Sequence, residues 1–132
     1  MTDSNNAATI RGNLAYDPFF DYLEGKEGET PFTRFALAVD RQPPRPAGPA
    51  DHLLVVVYGD LAERVHPYLR KGSEVTVKGW IRAREGVNHH GEPMRVVEVV
   101  AEDVEFIRNI NWEQGEASAA GIADAVAAEQ EG

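Results

Sequence analysis

The sequence predicts an all-β fold, a small five-stranded barrel with one short helix between its third and fourth strands. Three observations predict it. Apolar and polar residues alternate in several separate runs, the period-two signature of half-buried strands. Only the stretch 60–69 carries apolar residues at helical spacing. The chain has 132 residues, 42% of them hydrophobic, which suits a single domain.

The elements follow in order. Residues 8–14 (Ala-Thr-Ile-Arg-Gly-Asn-Leu) read as a first strand, with Gly12 and Asn13 supplying the bend at its end. Residues 15–31 read as a long loop in which Tyr16, Phe19, Phe20 and Tyr22 precede a charged stretch from Glu24 to Glu29. Phe19 and Phe20 are expected to pack into the core there. Residues 32–40 form a second strand, with Phe35, Leu37 and Val39 on one side. The segment from Arg41 to Ala50 holds Pro43, Pro44, Pro46 and Pro49, too many for a sheet, and reads as an extended loop.

Residues 52–58 (His-Leu-Leu-Val-Val-Val-Tyr) read as a third strand that is apolar on both faces. Such a strand must be covered on both sides. The barrel core supplies one cover, and a partner subunit is the expected other. Asp60 is placed to N-cap a helix running to Leu69, with Leu61, Val65, Tyr68 and Leu69 on one face. Pro67 interrupts it, and Arg70, Lys71 and Gly72 close it.

Residues 73–84 give the clearest strand. Val75, Val77, Gly79, Ile81 and Ala83 point one way, and Glu74, Thr76, Lys78, Trp80, Arg82 and Arg84 the other. Gly79 at mid-strand suits the bend or bulge that barrel closure requires. Residues 85–92 form a hairpin loop, and 94–107 return as one or two strands. A helix between the third and fourth strands of a closed five-stranded sheet is the OB-fold order. The barrel domain is expected over 1–108. Residues 109–132, rich in Ala, Glu, Gly and Gln, are expected to form a flexible acidic tail.

Composition narrows the function. There are no cysteines, so disulfides, thiolate metal sites and cysteine nucleophiles are excluded. The N-terminal segment has no apolar core of a secretory signal, and no run approaches the roughly 20 apolar residues that span a bilayer. No membrane association and a cytoplasmic location are expected. His89 and His90 are adjacent and diverge, with His66 far away, so no metal site is expected. Glu98 with Glu102, or Glu74 with Asp103, can form surface carboxylate pairs, which strands carry without any chemistry. No phosphate-loop, nucleophile-elbow or His-Glu-x-x-His motif occurs, so neither an enzyme nor a bound cofactor is expected.

The net charge is −9. Five of the 22 acids (Glu113, Glu116, Asp124, Glu129, Glu131) lie in residues 113–132, which hold no Lys or Arg. That leaves 17 acids against 13 bases in the rest. Any nucleic-acid site must therefore be a local basic patch. The best candidate is the fourth strand, where Trp80 shares a face with Lys78, Arg82 and Arg84. An indole among cations is a stacking platform beside a phosphate track. Arg34 on the second strand, Arg41 in the proline loop, Tyr58 at the end of the third strand and Tyr16 in the first long loop are placed to line the same groove.

Four segments resemble the bacterial single-stranded-DNA-binding protein family. They are Gly-Asn-Leu-Ala-Tyr-Asp-Pro at 12–18, the strand from Phe32 to Val39, Tyr-Gly-Asp-Leu-Ala-Glu at 58–63, and Tyr-Leu-Arg-Lys-Gly-Ser-Glu-Val-Thr-Val-Lys-Gly at 68–79. They stand in the family's order within residues 8–107, the part of the chain that the resemblance covers. The resemblance implies an OB-fold, a homo-oligomer (a tetramer, else a dimer) and sequence-tolerant binding of single-stranded DNA in replication, repair or recombination. It also implies that Tyr58 stacks on bases and that Arg82 and Arg84 form the basic end of the fourth strand. The chain departs from the family at three common aromatic positions, which hold His52, Gly86 and a proline-loop residue near Pro43. It has Asp60 where Lys is frequent, and it ends without an apolar tip, so partner recruitment by that route is not expected. The alternative is a divergent OB module that acts through protein–protein contact, with weak or no DNA binding.

Overall fold

The computed structural model describes residues 5–40 and 50–108. The proline loop with Arg41 and Arg45, and the acidic tail, lie outside the described residues.

Six strands and one helix make up the described chain: β1 (Ala8–Leu14), β2 (Phe19–Gly25), β3 (Gly28–Val39), β4 (Asp51–Tyr58), α1 (Gly59–Val65), β5 (Glu74–Val87) and β6 (Pro93–Arg108), with a 3-10 turn at His66–Tyr68 after α1. The sheet runs β1-β5-β6-β4-β3-β2, and β1 also pairs with β3 at Asn13↔Ala38 and Leu14↔Leu37. That last pairing closes β1, β5, β6, β4 and β3 into a ring. All pairings are antiparallel except β4 with β6. A closed five-stranded ring with its helix between the third and fourth ring strands is the predicted OB-fold.

Period-two alternation fills the barrel. Phe35, Leu37, Val55, Val57, Val75, Val77, Val99, Val104 and Phe106 point inward and are nearly or fully buried. The helix plugs one end with Ala62 and Val65, followed by Tyr68 and Leu69. Gly79 marks where the wall turns. The β5–β6 register shifts between Lys78 and Gly79, leaving Glu102 as an extra residue on β6. A Cβ on Gly79 would sit within 3.0 Å of the Val100 carbonyl, so only glycine fits there.

Several local expectations are corrected. Of residues 15–31 only 15–18 and the tight turn at 26–27 are loop: β2 and β3 form a hairpin paired from Phe19↔Arg34 to Gly25↔Gly28. The period-two signal was faint because β2 has one face in water and little buried on the other. Phe19 is exposed rather than core, while Phe20 packs against the core and stacks on the His66 ring at 3.8 Å. Asp60 is not the N-cap. It lies in the first helical turn, and the cap position, Tyr58, makes no side-chain cap bond. Gly59 (φ +72°) turns the chain from β4 into the helix, so the helix starts two residues earlier than expected.

Part of the second face of β4 is covered by the chain's own side chains, while Leu54 and Tyr58 are half-buried and His52 is exposed. Val56 is fully buried in a cluster with Phe32, Val100 and Tyr58. Ile81 and Ala83 continue the inward face of β5, yet they are exposed. The reason is that β1 pairs with β5 only as far as Gly79, and β4 pairs with β6 only at Glu98–Val100. Beyond those points the β5–β6 hairpin leaves the barrel as a two-stranded arm.

Candidate nucleic-acid interface

The pleat and the ring register bring the outward residues of five strands onto one face. One row runs Phe19 (β2), Arg34 (β3), Val56 (β4), Val100 (β6) and Trp80 (β5), each paired with the next. The next row runs Ala36, Leu54, Glu98 and Arg82. On the other side Tyr58 pairs with Phe32, which pairs with Asp21.

Side chains join across these rows. Arg82 donates from Nε to Glu98 Oε2 (3.0 Å) and from its Nη2 to the same oxygen (2.6 Å). The same Nη2 also donates to the Tyr58 hydroxyl. Arg84 donates from Nε to Glu98 Oε1 (3.2 Å). The Arg82 guanidinium lies over the Tyr58 ring, 5.2 Å from its centre, and Arg34 lies over Phe32 at the same distance. Phe32 contacts Tyr58 (6.5 Å between centroids) and Phe19 (6.0 Å). The result is a strip in which guanidinium groups lie over a run of contacting rings.

Glu98 is the electrostatic centre of the strip. Its side chain is fully buried. Burial alone would raise its pKa, but the hydrogen bonds and charges of Arg82 and Arg84 hold it below the ordinary carboxylate value. Burial likewise works against the Arg82 charge, and the bonds to Tyr58 and Glu98 reverse the effect, raising its pKa. A buried carboxylate is tolerated only with such pairing. Nε and Nη2 of Arg82 and Nε of Arg84 are committed, so the remaining guanidinium N–H groups are left to meet a ligand. Arg34 Nε is buried with no acceptor among the described residues.

The expected site residues divide. Arg34, Tyr58, Trp80, Arg82 and Arg84 come together on this face. Trp80 is 36% exposed, as a platform requires, and Tyr58 is half-buried beneath Arg82 rather than standing free. Lys78 lies beyond the register shift, opposite Thr9 and Asp103. Tyr16 is exposed in the turn between β1 and β2, outside the strip's ring and cation contacts. Arg41 lies outside the described residues.

Glu98 and Glu74, which could have paired with other carboxylates, are held by arginines. Glu98 sits between Arg82 and Arg84, and Glu74 between Arg11 (3.1 Å) and Arg108 (2.8 Å), where both guanidinium groups hold it below its ordinary pKa against the upward pull of burial. Glu98, Phe32 and Phe19 are the residues that sequence reasoning missed. Glu98 did carry a signal: it is an acid flanked by Val96, Val97, Val99 and Val100, and in a strand that buried it needs cationic partners. Among the described residues no cluster of three or more His, Asp or Glu is placed to hold a metal, and no helix is long and apolar enough to cross a membrane.

Residues 5–107 match the family described as "Single-strand binding protein family". The "Single-stranded DNA-binding protein" of Thermotoga maritima is 39% identical over 107 residues, covering 77% of this chain and 73% of that one. The protein of the same description from Clostridium tetani is 35% identical over 103 residues, with 77% and 70% covered. That of Onion yellows phytoplasma is 29% identical over 106 residues, with 80% and 97% covered. The matched span holds the barrel but for its last residue, Arg108, and every residue of the strip, and the chain belongs to the single-strand binding protein family.

Proposed function

We propose that this protein binds single-stranded DNA without sequence preference, along the strip from Trp80 to Arg34. One observation carries the reading: on a chain of net charge −9, the outward face of the barrel sets Arg82 and Arg84 on a single buried, doubly paired carboxylate and Arg34 on the same face, beside exposed rings. Guanidinium groups contact phosphate, and rings stack on any base. The relatives' names agree with this reading. Such a role belongs to replication, repair or recombination in the cytoplasm, and it asks for binding rather than catalysis.

The test is an anisotropy titration of labelled oligothymidine with the wild type and with Trp80→Ala. The wild type binds tightly at low salt. Trp80→Ala weakens binding by about 1–3 kcal/mol. No binding by the wild type rejects the reading, and an unchanged affinity in the variant rejects Trp80 as a platform.

We further propose that copies associate, as a tetramer or else a dimer, through the exposed apolar end of the barrel. Ile81 (46% exposed), Val97 (60%) and Leu53 (36%) continue the core face at the barrel's end, with Leu53 and Val97 each one residue before the last β4–β6 pair, Leu54↔Glu98. An apolar patch rimmed by polar residues is a typical contact surface. Val97→Lys lowers the mass seen by light scattering if this patch is the interface, and leaves it unchanged if it is not.

A further inference from the structure

We infer that Phe19 is a second base-stacking platform, and that a bound strand crosses the sheet from Trp80 to Phe19, at right angles to the β-strands. The inference rests on the DNA-binding reading above.

The two adjacent phenylalanines of β2 are used differently. Phe20 turns to the barrel side, packs against the core and stacks on His66. Phe19 turns to the strip side and leaves 54% of its surface in water. A large ring is held there rather than dangling. Thr33, fully buried, donates from Oγ1 to the Phe19 carbonyl (2.9 Å), and the Phe19 ring rests against the buried Phe32 at 6.0 Å, tilted by 55°. A fixed, exposed apolar ring loses little freedom when a base covers it.

Its position gives it a partner. Phe19 and Trp80 are the two ends of one lateral row, with Arg34 and two buried valines between them. Four strand spacings of about 4.8 Å separate the ends, roughly 19 Å. A segment of a few nucleotides covers that span, within the roughly 4–16 nucleotides one barrel of this kind binds. Arg34, next to Phe19 in the row, supplies the cation beside this ring as Arg82 and Arg84 do near Trp80. Asp21, two residues along the same face of β2, sets a carboxylate beside that end of the row.

The test compares the full-length wild type with Phe19→Leu and Phe19→Tyr by anisotropy of labelled oligothymidine at several salt concentrations, with masses from light scattering. Phe19→Leu weakens binding about tenfold, with an unchanged salt slope, since a ring and not a charge is removed. Phe19→Tyr stays within about twofold of the wild type because the ring is kept. If Phe19→Leu binds as the wild type does while Trp80→Ala is weakened, Phe19 is no platform and the DNA-binding reading stands. If Phe19→Leu instead changes the mass of the particle, the ring is a subunit contact and the inference fails. A wild type that binds nothing at low salt overturns both.

Discussion

At the scale of single residues, Glu98 decides how the face is built. It takes one hydrogen bond from Arg84 and two from Arg82, and it has no exposed side-chain surface. The arginines remain about one-third exposed, so they tolerate losing the acid better than the acid tolerates losing them. The double variant Arg82→Ala with Arg84→Ala strands a buried charge and loses about 3–5 kcal/mol in denaturant unfolding at pH 7. The loss shrinks on acidification, because burial alone then raises the Glu98 pKa and the neutral acid forms. In the wild type the sign is opposite. A depressed carboxylate pKa contributes stability above the unfolded value of about 4.5 and loses it as pH falls through the lower folded value. Equal destabilisation of the double variant at pH 4 and pH 7 would contradict the pairing.

Individual elements divide sharply in how legible they were. Strong alternation made β1, β3 and β5 readable, and a continuous apolar run made β4 readable. Strand β2 was not readable: all but one of its residues are exposed, and its aromatics do two unlike jobs, which erases the period. The bend at Gly79 was legible because mid-strand glycine has few other uses. Gly79→Ala drives a methyl into the Val100 carbonyl and costs several kcal/mol, on the order of other close-packed backbone clashes, measured as a fall in melting temperature. A substitution as stable as the wild type would show that the β6 bulge is not needed for closure.

The helix and its 3-10 extension carry a second titration. His66 is stacked on Phe20, and burial lowers its pKa below 6.5, against the opposing pull of Glu63. A folded value below the unfolded one means the unfolded chain binds more protons, so stability is lost as pH falls below about 6.5. His66→Phe keeps a ring on Phe20 and flattens that part of the stability profile. A profile unchanged by the substitution would remove His66 from the account.

For the whole molecule, composition pointed away from nucleic acid and topology pointed toward it. A net charge of −9 says nothing about where the charges lie. The sequence placed Trp80, Arg82 and Arg84 on one strand face. It also placed Arg34 and Tyr58 toward the same groove, but not the contacts that seat them there, which depend on the ring register between β3, β4 and β6. Nor did it disclose that a carboxylate underlies the arginines, or that part of the second face of β4 is covered by Phe32, Tyr58 and Val100 within one chain. Long-range register is set by closure of the barrel and is not written in any local window.

Salt dependence tests the central claim, that a local cationic strip overrides the acidic whole. The affinity of the full chain for oligothymidine is measured from about 50 to 200 mM salt. Three arginines contacting phosphate give a log–log slope near −2, at about −0.7 per phosphate, and the slope becomes shallower by about 0.7 in Arg34→Ala. An affinity that is flat with salt, or that rises with it as repulsion between an acidic protein and DNA is screened, would contradict the account.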